Sequence, residues 1–170
     1  MTDATCPTSE PDTLTADVAS HRLEVIVDGD QRLERILALL AGAIRRIDII
    51  MYIFEHDAAG TRVLDAMTAA ARRGVRVRAV IDSFGSSDIS DSIFGPLREA
   101  GGSVTFFSRR WRSSYLIRNH QKLLLIDDDV AVTGGFNIAV GSPRAHRIQR
   151  IIEPMLASKA IRVAELTHVG

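Results

Sequence analysis

The side chains in this chain best suited to chemistry fall between residues 119 and 137. Asn119-His120-Gln121-Lys122 is followed by Leu123-Leu124-Leu125-Ile126, then Asp127-Asp128-Asp129, and then Gly134-Gly135-Phe136-Asn137. Lysine offers an anion a point positive charge, asparagine an amide donor, and paired glycines allow backbone amides to approach it closely. Histidine, charged or neutral near pH 7, can serve as nucleophile or as general acid. Together these types suit a phosphate. The chain otherwise avoids two of them: its only lysines are Lys122 and Lys159, and its only asparagines are Asn119 and Asn137.

Positioning such a cluster requires a hairpin. Residues 120–126 read as a strand, which puts His120 and Lys122 on the same face as Leu124 and Ile126. Asp127–Asp129 supply the turn into a second strand over 130–137; a solvated turn is the favoured reading over a cation site. A two-residue turn at Asp128-Asp129 predicts Lys122 opposite Gly135 and His120 opposite Asn137, one compact patch. A three-residue turn would pair 122 with 134 and 120 with 136 and disperse it. Asp127, pointing away, reads as a structural partner.

Upstream, strand and helix alternate. A β-branched run over 23–27 ends at Asp28-Gly29-Asp30, and Leu33, Ile36, Leu37, Leu40 and Ile44 then predict an amphipathic helix over 31–45. Residues 47–54 form a nearly continuous apolar strand. A helix over 60–73 stops at Arg72-Arg73-Gly74, a strand covers 75–82, a helix 91–100, and a short strand 104–107. The expected class is α/β: a mixed, largely parallel sheet flanked by helices on both faces. Glu55, His56 and Asp57 gather at a strand end, where functional groups collect in such folds.

The chain has 170 residues, 46% hydrophobic and 25% charged, which fits one folded domain and excludes wholesale disorder. One cysteine, Cys6, excludes a disulfide framework or a multi-cysteine zinc site and fits a reducing compartment. Basic and acidic residues balance at 21 each, which weighs against nucleic acid as partner. The balance is uneven, however, because 109–122 carries five Arg or Lys and no acid. That stretch includes Trp111 and Tyr115, a mixture equally suited to a solvated loop and to contact with lipid headgroups. No apolar run is long enough to span a bilayer. The expected organisation is a disordered acidic leader over 1–20, a domain over 21–141 and a basic tail over 142–170.

His-x-Lys-x-x-x-x-Asp followed by Gly-Gly-x-Asn resembles the signature of the phospholipase D superfamily. Tyr52-Ile53-Phe54-Glu55, Arg72-Arg73-Gly74-Val75 and Asp82-Ser83-Phe84-Gly85-Ser86 look most like the N-terminal half of bacterial cardiolipin synthases, over about residues 22–140. The resemblance implies a phospholipase D-like half-domain that transfers or hydrolyses phospholipid phosphodiesters through a phosphohistidine, with no metal and no cofactor. It casts His120 as nucleophile or its acid/base partner, Lys122, Gly135 and Asn137 as the phosphate site, and Asp127 as the residue completing the motif. Glu55, Asp82 and Arg118 are candidate supports around the site. The family uses two motifs and this chain has one, which points to a homodimer or a missing second half. Acids common after the asparagine are also absent from Ile138-Ala139-Val140-Gly141. The expected setting is cytoplasmic, peripheral to the inner face of the membrane. The rival readings are a single-motif dimeric nuclease and a truncated, inactive binding module.

Overall fold

The structure, a computed structural model, describes residues 13–19, 21–107, 120–139 and 165–168. Its strands are β1 (Thr13–Val18), β2 (His21–Ile26), β3 (Arg46–Met51), β4 (Arg76–Asp82), β5 (Ser103–Phe107), β6 (Leu123–Ile126), β7 (Val130–Thr133) and β8 (Glu165–His168). Its helices are α1 (Gly29–Gly42), α2 (Ala58–Arg72) and the short α3 (Gly95–Glu99), which follows a 3₁₀ turn at Asp91–Phe94. One sheet runs in the order β1-β2-β8-β7-β6-β3-β4-β5. Thr13–Val18, inside the segment expected as a leader, thus pair with β2, and β8 comes from the segment expected as a tail.

The mixed α/β class is as expected. Among the named strands, parallel pairing is limited to β3–β4 and β4–β5, a smaller share than expected, because β6 enters antiparallel to β3 and β7 antiparallel to β6. Alternation along the central strands sends Ile47, Ile49, Met51, Val77, Ala79, Ile81, Leu124, Ile126 and Val132 to one side. There they share a core with Ile36 and Leu40 of α1, Val63 and Met67 of α2, and Leu97 of α3. Among the described residues all three helices contribute to that one core. On the opposite face Asp48 bridges Arg46, at 3.6 Å, and Arg78, at 2.5 Å. Arg78 comes first in holding the Asp48 carboxyl below its ordinary value.

The helix starts follow their sequence signals. Asp28 accepts from Gln31 N at 2.8 Å to cap α1, and Asp57 accepts from Gly60 N at 2.9 Å to cap α2, each worth about 1 kcal/mol. Past the end of α2, Gly74 takes the left-handed conformation (φ 91°). The neighbouring Arg73 guanidinium donates to Leu40 O and Ala41 O, at 3.2 and 3.0 Å. It satisfies carbonyls that the end of α1 leaves open and ties the two helices together.

The hairpin departs from the expected register. Leu123 pairs with Thr133, Leu124 with Val132, and Ile126 with Val130, so Asp127–Asp129 form a three-residue turn. Asp127 and Asp128 both adopt positive φ, 54° and 71°. The cause is Asp127. Its carboxylate accepts the backbone N–H groups of Ile44, Arg45 and Arg46 at 2.8, 2.6 and 2.9 Å, and its own N–H donates to Arg46 O at 3.1 Å. These bonds pull residue 127 out of the ladder with β7 and onto the loop that leads into β3. The predicted pairing of His120 with Asn137 and Lys122 with Gly135 does not form.

Candidate active site

The parallel strands β3 and β4 end at Met51 and Asp82, beside the start of antiparallel β6. At such an edge in an α/β sheet the loops carry functional groups. Tyr52 follows β3 directly and is only 3% exposed. Its carbonyl accepts from Ser86 Oγ at 3.2 Å, and Ser86 Oγ accepts from Phe54 N at 2.9 Å. Asp82 fixes the loop that carries Ser86: its buried carboxylate accepts from Phe84 N and Gly85 N, at 2.9 and 3.0 Å.

Against the Tyr52 ring lie the two residues singled out for chemistry. The His120 imidazole sits with its centroid 4.2 Å from that of Tyr52, tilted by 42°. Lys122 Nζ lies 5.4 Å from the same ring centroid, at a distance suited to a cation–π contact. Nζ is 3.2 Å from His120 Nδ1 and 3.2 Å from His120 O. An ammonium can only donate, so a charged Lys122 makes Nδ1 the acceptor. The neutral imidazole then carries its proton on Nε2.

His120 is exposed, whereas Lys122 is 5% exposed. Burial pushes the Lys122 ammonium down to about 8. His120 is also lowered, first by burial of its ring and then by the Lys122 charge, with Asp82 pulling in the opposite direction. Lys122 is thus brought towards neutrality, whereas His120 is moved further to the acid side of it, so the imidazole is neutral where the ammonium is still charged.

The other candidates are held by contacts of their own. Asp127 lies at the far end of β6, anchoring the loop before β3 as described. Burial opposes its ionisation, but the N–H donors of Arg46, Ile44 and Arg45, with the Arg45 guanidinium, outweigh burial and hold its carboxyl below the ordinary value. Gly135 is exposed, and a Cβ there would meet nothing within 4 Å. Beyond Thr133 the chain leaves β6, and Ile138 bridges in parallel to Phe54, donating to Ile53 O and accepting from Glu55 N. That bridge carries Asn137 to a cavity walled by Leu33 and Ile36 of α1, Val63 of α2 and Phe136. There its Oδ1 is buried with no hydrogen-bond partner among the described residues. Glu55 is half-buried just before α2. Arg118 and the Arg/Trp/Tyr stretch of 108–117 lie outside the described residues. Tyr52 is the site residue that the sequence reading passed over. Its signal was its place as the first residue past a parallel strand's C-terminal end, hidden inside an apolar run that read as core.

Residues 36–149 match the family described as cardiolipin synthase, PLD-like domain. Over 122 residues the chain is 38% identical to the major cardiolipin synthase ClsA of Bacillus subtilis, covering 69% of this chain and 25% of that one. It is 35% identical over 124 residues to a cardiolipin synthase of Listeria monocytogenes, again covering 69% and 25%. The chain therefore spans about a quarter of the length of these relatives. Among solved structures, NucT from Helicobacter pylori aligns with a TM-score of 0.52 at 17% identity, over 84% of this chain and 95% of that one, a likeness of fold.

Proposed function

The chain belongs to the cardiolipin synthase, PLD-like domain family, and on that premise we propose that it supplies one half of a phosphodiester-processing site that acts on phospholipids. The observation that carries this reading is the pairing of a water-exposed imidazole with a nearly buried ammonium 3.2 Å away, at the strand-end edge of the sheet. The ammonium draws a phosphate oxygen to the histidine and offsets the charge that develops on phosphorus. As the ammonium turns from Nδ1 to the phosphate, the lone pair it held is freed, and neutral His120 attacks phosphorus through Nδ1. The P–O bond to the leaving alcohol breaks, and that alcohol takes a proton from a second acid. An acceptor alcohol or water then attacks the phosphohistidine, losing its proton to the same group, and His120 is released.

One histidine of this kind cannot perform both roles at once, so the second acid is assigned to His120 of another copy of this chain across a two-fold axis. None of the helices among the described residues is long and apolar enough to cross a membrane, and access to lipid is proposed to be peripheral, at the inner face.

The test is turnover of a short-chain phosphatidylglycerol and of bis(p-nitrophenyl) phosphate by the full chain. Expected results are activity, its loss in His120→Ala, and an acid-labile phosphoenzyme trapped at low temperature. Equal inertness of wild type and His120→Ala would overturn the reading in favour of a binding module. Turnover confined to DNA would overturn the lipid assignment. A strictly monomeric protein with full activity would remove the paired-copy arrangement.

A further inference from the structure

His120 precedes β6, whose ladder begins at Leu123, so no strand pairing holds its backbone. It is also exposed. A nucleophile in that position takes its orientation from side-chain contacts, and two are made among the described residues. One is Lys122 Nζ and the other is the Tyr52 ring. Lys122 reaches His120 through its own flexible stem and lies over the same ring. Among the described residues the ring is therefore the rigid surface that both groups share.

Tyr52 is fixed from beneath. A Cβ on Gly85 would fall 2.1 Å from Tyr52 O and 3.1 Å from its ring Cδ2, so the loop lies against this residue with no spare room. Ser86 holds the Tyr52 carbonyl, and Asp82 holds the loop through two backbone N–H groups. Support thus runs from Asp82 through Gly85 and Ser86 to Tyr52, and from Tyr52 to His120 and Lys122.

Resting on the function proposed above, we propose that Tyr52 is a positioning residue, an aromatic floor that sets the His120 imidazole and the Lys122 ammonium in fixed spacing for attack on phosphorus. The ring does two things. Its face holds the imidazole plane, so that the nucleophilic nitrogen does not sweep through solvent between turnovers. Its quadrupole favours the ammonium form of Lys122, opposing the burial that disfavours it. Neither needs the phenol hydroxyl, so the ring rather than the oxygen carries the role.

Three full-chain variants test this, read by NMR titration of His120 and Lys122 as well as by turnover of bis(p-nitrophenyl) phosphate. Tyr52→Leu removes the ring. It is expected to lower kcat/KM by about 10- to 100-fold, mostly in kcat, and to move the His120 midpoint up towards the ordinary histidine value as water reaches the ring edge. Tyr52→Phe is expected to restore both. Trifluorophenylalanine at position 52 keeps nearly the same shape while largely cancelling the quadrupole, and is expected to lower the Lys122 midpoint below that of the Phe protein. Identical titrations in the Phe and trifluorophenylalanine proteins, or wild-type kcat/KM in a folded Leu protein, would overturn the proposal. Should Tyr52→Leu not fold, the other pair still decides. The titrations need no turnover, so failure of this inference and failure of the proposed function are told apart.

Discussion

The ammonium nitrogen of Lys122 stands 3.2 Å from Nδ1 of His120, and that single contact links the protonation states of the two residues. Two cations cannot share so short a separation cheaply. One group is therefore neutral over the working pH range, and the directions of both shifts show which. His120 gives up its proton before an isolated histidine would, and Lys122 keeps its own up to about pH 8.

The first prediction is a pH profile. With a phosphodiester substrate, kcat/KM should rise through an acid limb below the ordinary histidine value of about 6.5 and fall through an alkaline limb near 8. An anionic substrate favours the ammonium, so the alkaline limb of kcat should lie above that of kcat/KM. Lys122→Arg should carry the alkaline limb beyond measurable pH, because guanidinium stays charged. An alkaline limb of the wild type near 10.5 would contradict the burial argument.

A second prediction concerns stability. The folded state lowers the Lys122 value from 10.5 to about 8, so below pH 8 the fold carries a charge that burial disfavours. Between those two values the unfolded chain binds more protons, and this residue's contribution to stability rises with pH. Lys122→Met, nearly isosteric and able to rest on the Tyr52 ring, should therefore stabilise the protein at pH 7. The gain is on the order of 1–2 kcal/mol, less than the full shift because exposed His120 leaves water close to the ammonium. That corresponds to roughly 2–8 °C in Tm. The gain should shrink as pH rises from 8 towards 10.5, and phosphodiester turnover should be lost throughout. A Tm that falls at pH 7 would show that Lys122 stabilises the fold.

How far the sequence reached depends on which forces are local. The helix over 31–45 rests on the periodicity of Leu33, Ile36, Leu37 and Leu40 and on the Asp28 cap, all within one short stretch of chain, and α1 forms at 29–42. The strand over 47–54 is visible as an apolar run. Its end at Met51 is not, because Ser86, 34 residues away from Tyr52, takes the Tyr52 carbonyl out of the ladder. The hairpin was legible from Asp127-Asp128-Asp129, but its register was decided 82 residues away in sequence, where Arg45 N meets the Asp127 carboxylate. For the same reason, His120 and Lys122 were found from their two-residue spacing on one face. The ladder pairing expected between Asn137 and His120 does not form, since the position of Asn137 follows from the parallel bridge of Ile138 to Phe54.

A third prediction separates two glycines. A Cβ on Gly60 would lie 1.7 Å from Glu55 O and 2.9 Å from Glu55 C, both backbone atoms that cannot swing aside. Gly60→Ala should therefore force the start of α2 away from the segment that follows β3. The expected cost is about 3 kcal/mol or more, a Tm drop of roughly 6 °C or larger. Gly135→Ala meets open space and should lie within about 1 kcal/mol of wild type. Thermal unfolding of the two proteins side by side is the check, and equal Tm values would refute the close approach at Gly60.

The last prediction takes Asp127 from the motif to the scaffold. Its carboxylate is the acceptor for three consecutive backbone N–H groups, and Lys122 lies about 16 Å away along β6. Asp127→Asn keeps the size but turns one acceptor oxygen into an NH₂ donor that faces N–H groups already seeking acceptors. At least one half-buried donor loses its partner, at a cost of about 2–4 kcal/mol. The pH dependence has a definite sign. Because the folded protein holds the carboxyl below 3.8, its contribution is complete above that value and disappears as pH falls through the lower, folded one. The Tm gap between wild type and Asp127→Asn should therefore be largest near neutrality and close progressively below about pH 4. Activity should fall only in proportion to the fraction unfolded, because the residue acts on the loop before β3 and touches neither His120 nor the space beside it. A fully folded Asp127→Asn protein that has lost turnover would place this carboxylate in the chemistry instead.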